Sequence, residues 1–406
     1  MRYKLPYISP KCTFSLLLAS LLLFIFLVWF FTPNRGMSPA YSTIYFSEAA
    51  NTNWFGNWQF APIHSDYLKQ LTGYEIYTYH FNATQEELKI NQLNFSGYLW
   101  VVKFAYNIFP FLGPIGATVL LQVAAHLLTS FLLIKLFANY YSKILFGFGY
   151  FANPVIVYFV IFPYYYFWQF LPSFLFILSY FYQKQKINRP LFFGTILHFI
   201  SFLIRPTTLL ISIFTFCYNS YLKQSIKWFI VGIIFILSIV IWNNYSSKTL
   251  GFGPWHTAFV GLGAYPNNYS FLFNLSDERG YDRFFELTGK QVEAGVDGNN
   301  QNDLSFRSEY FRILKNEYLR ILKNSPIVVI RNAGINFLQG YSIGYLNKSP
   351  YYLNLISALL GAIFIAFLIY SQEWVGIMAI GISHLTFSLY FPPIQAYMFG
   401  RYSGSK

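Results

Sequence analysis

Charge is what this chain has least of. Only 11% of its 406 residues are Asp, Glu, Lys or Arg, where a soluble domain carries about 25%. That scarcity excludes a globule clothed in polar surface. Cysteine is nearly absent too, with two residues, Cys12 and Cys217. They exclude a disulfide framework and a CxxC metal site, and both read as packing residues in or beside apolar runs. Carboxylates are the rarest charge. There are 15 in all, and none from Leu88 through Ser276.

What is present is apolar and aromatic. Hydrophobic residues make up 55%, with 47 Phe and 35 Tyr. A bilayer solvates such side chains from outside. The formal charge of +13 would raise nucleic acid as a partner in a soluble protein. Here the basic residues sit in short clusters between apolar runs, so nucleic acid is set aside.

Apolar runs of spanning length are expected at 14–31, 114–137, 144–162, 163–182, 190–204, 206–222, 226–243, 351–370 and 374–392, with a weaker tenth at 327–346. Pro154, Pro163, Pro172 and Pro206 mark breaks or kinks. The predicted fold class is an all-α membrane protein, a polytopic helical bundle of about 9–10 transmembrane helices with two extracytoplasmic segments. The first run follows Arg2, Lys4 and Lys11 and has no small-x-small cleavage site after it. It reads as an uncleaved span.

Orientation comes from four acid-free basic groups: Arg2, Lys4 and Lys11; Lys135 with Lys143; Lys184, Lys186 and Arg189; Lys223 with Lys227. Alternating spans place all four on one side, the cytoplasmic one. The longer connections 32–113 and 244–350 then lie outside. They hold five and nine acids, which is all of them except Glu373. Any carboxylate chemistry is therefore expected outside. The expected division is a module 1–243 carrying the first outer segment 32–113, then an outer segment 244–350, then a terminal hairpin 351–406.

Residues 303–323 predict an amphipathic helix, with Phe306, Tyr310, Ile313, Leu314, Tyr318, Ile321 and Leu322 on one face, Asp303 as cap and Pro326 as stop. It would lie on the membrane surface or on the protein's own outer domain. No internal repeat of fixed period is visible, so an inverted-repeat transporter has no support.

In the first outer segment Glu48 and Asp66 are the candidate catalytic carboxylates, each able to act as a general base toward an acceptor hydroxyl at the membrane face. Arg205 is closely flanked by apolar runs, at the Arg205–Pro206 turn. Its guanidinium suits bidentate grip of a phosphate. Arg331 and Arg401 are weaker copies of it. The string 251–267, GFGPWHTAFVGLGAYPN, predicts a tight loop from its glycines and prolines. Within it Trp255 and Tyr265 offer ring faces for sugar stacking, and His256 a proton-handling or hydrogen-bonding group. Asp277-Glu278-Arg279-Gly280-Tyr281-Asp282-Arg283 admits a divalent cation, with self-paired charges the favoured reading. His126, His198 and His384 read as polar packing groups.

With these residues in place the layout resembles the membrane-embedded glycosyltransferases of the GT-C superfamily. The features that carry the resemblance are the first span, the acidic outer segment, the ladder of short spans, Ile204-Arg205-Pro206-Thr207 and the late outer segment. Asn153-Pro154 followed by Phe162-Pro163-Tyr164-Tyr165-Tyr166-Phe167 adds to it. The resemblance implies a hexosyl transfer from a polyprenyl-phosphate-linked donor to a glycan or glycolipid acceptor. It places the active site on the outer side of the membrane, with the surrounding lipid as a further partner, and the richness in Lys, Asn, Phe and Tyr points to an AT-rich genome and so to a bacterial inner membrane. It also implies a base in the first outer segment, often within a paired-acid motif. Glu48 and Asp66 are single here, and the paired Glu86-Glu87 lie late. The alternatives are a repeat-unit polysaccharide polymerase or ligase, and a lipid or solute transporter.

Overall fold

The computed structural model describes residues 10–31, 39–52, 59–61, 71, 74–90, 96–136, 140–163, 165, 167–170, 204, 210–214, 217–218, 230, 234, 254–265, 277–292, 304–342 and 351–388. The described residues are predominantly helical, with one two-residue antiparallel ladder. Packing divides the chain into two units, Met1–Asn91 with Ser96–Ile204, and Gln92–Phe95 with Arg205–Lys406. The hydropathy boundaries at 243 and 350 follow where the chain leaves apolar runs. They do not coincide with this division.

In the first unit α1 (Pro10–Phe31) and α5 (Pro114–Leu136) are the long apolar helices. The stretches Thr13–Phe31 and Pro114–Ile134 are the two among the described residues that are long and apolar enough to cross a membrane. Their burial is inverted relative to a soluble core. On α5, Thr118, Gln122, His126, Thr129 and Ser130 are buried, while Leu120, Leu127, Leu128 and Phe131 face outward. The polar stripe has work inside. The Gln122 side-chain amide donates to the carbonyls of Val160 (2.8 Å) and Phe162 (2.9 Å). These lie at the end of α7 (Pro154–Ile161), where a helix leaves carbonyls without intrahelical partners.

The expected span 144–162 is not one helix. It comprises the end of α6 (Tyr140–Phe146), a π-helical turn at Gly147–Phe151 and α7. Pro154, expected as a break, opens α7 as its first residue, where its missing N–H costs nothing. The π turn closes with the Ala152 amide on the Gly147 carbonyl at 2.8 Å. His126 Nε2–H donates to Phe151 O at 3.0 Å, and the imidazole packs against both Phe24 and Phe151, which also stack on each other. His126 is thus a packing group, as expected. The spans at 163–182, 190–204, 206–222 and 226–243 fall mostly outside the described residues.

Between α1 and α5 in sequence lie α2 (Pro39–Asn51), β1 (Gln59–Phe60), the short α3 (Glu75–Thr78), β2 (Lys89–Ile90) and α4 (Ser96–Ile108). They form a knit body around Phe46, Phe81, Tyr98, Leu99, Val102 and Ile115. The Asn51 side-chain amide donates to Ser47 O (2.8 Å) and Phe81 O (2.6 Å), and the Ala61 amide donates to Ser47 Oγ (2.9 Å). This body is seated on the start of α5. The Gly113 amide donates to Tyr77 O at 3.0 Å. A Cβ on Gly113 would overlap Tyr79 O, and one on Gly116 would overlap Tyr77 O. Both positions need glycine for this close approach.

In the second unit α8 (Pro254–Gly261), α9 (Asp277–Thr288), α10 (Leu304–Asn324) and α11 (Pro326–Gln339) surround a core of Phe259, Leu262, Phe284, Tyr310, Leu314 and Ile321. α10 is the predicted amphipathic helix. Tyr310, Leu314, Tyr318 and Ile321 are its buried stripe, packed against α8 and α9. It stops before Pro326, which begins α11. The predicted loop 251–267 is corrected, because Pro254–Gly261 is helical and continues into a 3-10 turn at Leu262–Ala264. Pro254 occupies the first helical position, where proline is tolerated, and Gly261 and Gly263 fall only where the α-helix ends.

α11 covers most of the weak tenth span. Its 14 residues reach roughly 21 Å, short of the ~30 Å hydrocarbon core. Asn332, Asn336 and Gln339 form its buried face, while Ile327 and Ile330 point outward. α12 (Tyr351–Tyr370) and α13 (Trp374–Ser388) follow one another across a short turn. α12 likewise buries Asn354 and Ser357 and exposes Leu359, Ile363 and Phe367.

Gly113→Ala and Gly116→Ala should each destabilise the protein by about 1–3 kcal/mol, because backbone carbonyls cannot swing aside. Gly334→Ala meets nothing within 4 Å and should be neutral or stabilising by up to ~1 kcal/mol. Thermal unfolding of the purified protein reads both.

Candidate functional site

The candidate residues fall in separate units. Glu48 is in the first; Trp255, His256, Tyr265 and Arg331 are in the second. Asp66, Arg205 and Arg401 lie outside the described residues.

Glu48 is on the last turns of α2, between the core residues Phe46 and Ala49. Its side chain is only 1% exposed. Burial of a carboxylate is costly, and positions that tolerate it are disproportionately functional. The end of its helix is held by side chains from elsewhere. Besides the Asn51 bonds, Thr52 Oγ1 accepts from the Gln59 amide at 3.1 Å. From α4, the Lys103 ammonium donates to Ala49 O at 2.9 Å and also to Thr52 O. Lys103 is itself buried, and that burial lowers its pKa. His80 Nδ1 lies 3.0 Å from the Tyr106 hydroxyl on the same helix.

Sequence reasoning missed Lys103. Its signal is a lone cation inside a buried stripe, with Leu99, Val102 and Ala105 as helical neighbours. A long charged side chain usually snorkels to solvent from such a place; this one finds carbonyls.

In the second unit the aromatic string is turned inward. Tyr265 is 0% exposed, and its hydroxyl donates to Asn336 Oδ1 at 2.6 Å. No ring face is left for a sugar, so the stacking role expected of it is corrected. Its hydroxyl binds the polar stripe of α11 instead. Trp255 is half-buried. Its ring is tilted against Tyr318, and Lys315 Nζ sits 5.4 Å from the ring centroid, a cation–π contact. His256 is buried among α8, α9 and α10. Its Nδ1 is 2.6 Å from the Tyr310 hydroxyl, and its ring stacks on Tyr281 at 5.7 Å. Gly280 lets α9 come this close, since a Cβ there would meet both Tyr310 Oη and His256 Nδ1 at under 3 Å. The expected donor-binding role of His256 is therefore not what this enclosed position offers. It ties three helices together. Arg331 is half-buried and donates to Asn332 Oδ1 at 3.1 Å.

The Asp277–Arg283 string is self-paired in part. Arg279 is 4.0 Å from Asp282, and Arg283 is 2.7 Å from Glu286. Arg283 also reaches Glu317 on α10 at 3.3 Å, and Arg320 reaches it at 2.8 Å. Among the described residues no group of three or more His, Cys, Asp or Glu is placed to hold a metal ion.

Searches against protein-family models, curated proteins and solved structures match nothing to this chain.

Burial alone would raise the Glu317 carboxyl, but hydrogen bonds from Arg320 and the charge of Arg283 hold it below its ordinary 4.5. Its folded pKa is thus lower than its unfolded one. The stability it supplies is full above about 4.5 and is lost as pH falls through the folded value. Thermal unfolding between pH 3 and 7 should show a loss at the acid end. Glu317→Gln should flatten that loss and lower stability at pH 7.

Proposed function

We propose that the chain is a polytopic integral-membrane glycosyltransferase acting on the outer face of the membrane. It moves a sugar from a polyprenyl-phosphate-linked donor to a hydroxyl of a glycan or glycolipid. The observation that carries this reading is Glu48, an enclosed carboxylate in a compact body that the sequence inserts between the two membrane-length helices α1 and α5. The membrane reading is supported further by helices that bury their polar residues and expose their apolar ones. Lipid, not water, is the solvent such a surface fits.

In the proposed reaction the Glu48 carboxylate takes the proton of the acceptor hydroxyl. The oxygen then bonds to the anomeric carbon, and the bond from that carbon to the phosphate oxygen breaks. The electron pair leaves with the lipid phosphate. The enclosure of Glu48 excludes water that would otherwise compete as acceptor. It also requires that part of the outer body be displaced when the acceptor enters.

Membranes containing the protein should transfer radiolabelled sugar from a polyprenyl-phosphate donor. Glu48→Gln should lower that rate about 10²–10⁴-fold, with the protein still folded. Equal transfer by the wild type and a Glu48→Gln, Asp66→Asn double variant would remove both residues from the site. Loss of thermal stability in Glu48→Gln with transfer intact would make Glu48 a structural charge.

A further inference from the structure

Arg307 lies in the first turn of α10, three residues after Leu304 opens it. Arg307, Tyr310, Leu314, Tyr318 and Ile321 are all buried and follow at spacings of three and four, so Arg307 heads the inward stripe of that helix. It is only 8% exposed. Arginine is almost never withdrawn from water this far unless it is paired. Among the described residues no hydrogen bond, ion pair or ring contact reaches it, and burial, which lowers its pKa, is the only influence on that pKa. Both acids of α10 are committed to other cations. Glu309 holds Lys290 at 2.6 Å, and Glu317 is held by Arg320 at 2.8 Å and Arg283 at 3.3 Å.

The same place carries a second source of positive charge. The first four amides of a helix have no acceptor within it, and the helix dipole is positive at that end. The first turn of α10 contains no acid to offset it. Helical side chains lean back toward the N-terminus, so a long side chain at Arg307 is directed over this end. Guanidinium and helix end thus bring positive charge together where little water reaches.

The chemistry of the place selects an anion. A buried cation is costly until a negative group replaces its lost water. The planar fork of a guanidinium matches two oxygens of a phosphate or a carboxylate. A tetrahedral phosphate has further oxygens to present to helix amides, and helix N-termini hold such ions. We propose that Arg307 and the N-terminal end of α10 form a phosphate-binding site, taking free phosphate or the phosphate head of a lipid. The site lies within the second unit and does not rest on the glycosyltransferase reading.

The test is thermal unfolding of the purified full chain in phosphate-free buffer. Inorganic phosphate is added against chloride of equal ionic strength, and a short-chain phosphatidic acid against diacylglycerol of the same chains. Phosphate should raise the melting temperature by about 2 °C or more over its control. A response to both probes assigns phosphate itself as the ligand, and a response to the lipid alone assigns a headgroup. Arg307→Gln, which keeps a donor and removes the charge, should lose the response. Arg307→Lys, which keeps the charge without the fork, should respond more weakly than the wild type. If neither probe shifts the wild type, or if Arg307→Gln responds as the wild type does, the proposal is overturned. Should Arg307→Gln not fold, an undiminished response in Arg307→Lys would overturn it instead.

Discussion

The first unit depends on one close contact, the backbone of Tyr77–Tyr79 lying directly on Gly113 and Gly116 at the start of α5. No side chain separates the two. The body between α1 and α5 in sequence is thereby fixed to an apolar helix at a sterically defined place, and everything that body carries inherits the position. The ladder of Gln59 with Ile90, the Asn51 bonds and the core around Phe81 then fold the segment back on itself. Glu48 is enclosed as a result of that folding, not as a local property of α2.

The second unit solves its polar problem differently. Its buried amides and hydroxyls satisfy one another: Tyr265 with Asn336, Gln339 with Asn354, Ser342 with Ser357. Its buried rings do the same around His256 and Tyr310. Such bonded pairs favour one arrangement of helices, because another would break them.

Periodicity and run length carried a good part of this fold. The stripe of α10, the ends of α12 and the break at Pro154 could all be read from residue spacing, since each is decided within one element. The helix at Pro254–Gly261 could not. Glycine and proline there signal a loop when they are counted, and a helix only when their positions at its two ends are known. Tyr265 was misjudged for a related reason. Aromatic residues suit sugars, membranes and cores equally, and the partner that decides among them, Asn336, lies 71 residues away. For the site, Glu48 could be nominated as an outer carboxylate, but its burial could not be foreseen. Lys103 is marked only by its place in an apolar stripe, and its partners are backbone carbonyls, which every sequence has and none displays.

The polar stripe of α5 has a consequence for how the chain is made. Gln122 bonds to carbonyls of Val160 and Phe162, which lie 38 and 40 residues further along. While the chain is still growing, those acceptors do not yet exist. On the membrane reading, a nascent α5 released early into lipid would carry an amide and an imidazole with nothing to bind. Its favourable course is to stay beside the insertion machinery until α7 emerges, and then to leave as a pair. The order of synthesis, and not the final packing alone, would then be written into the spacing between Gln122 and Phe162.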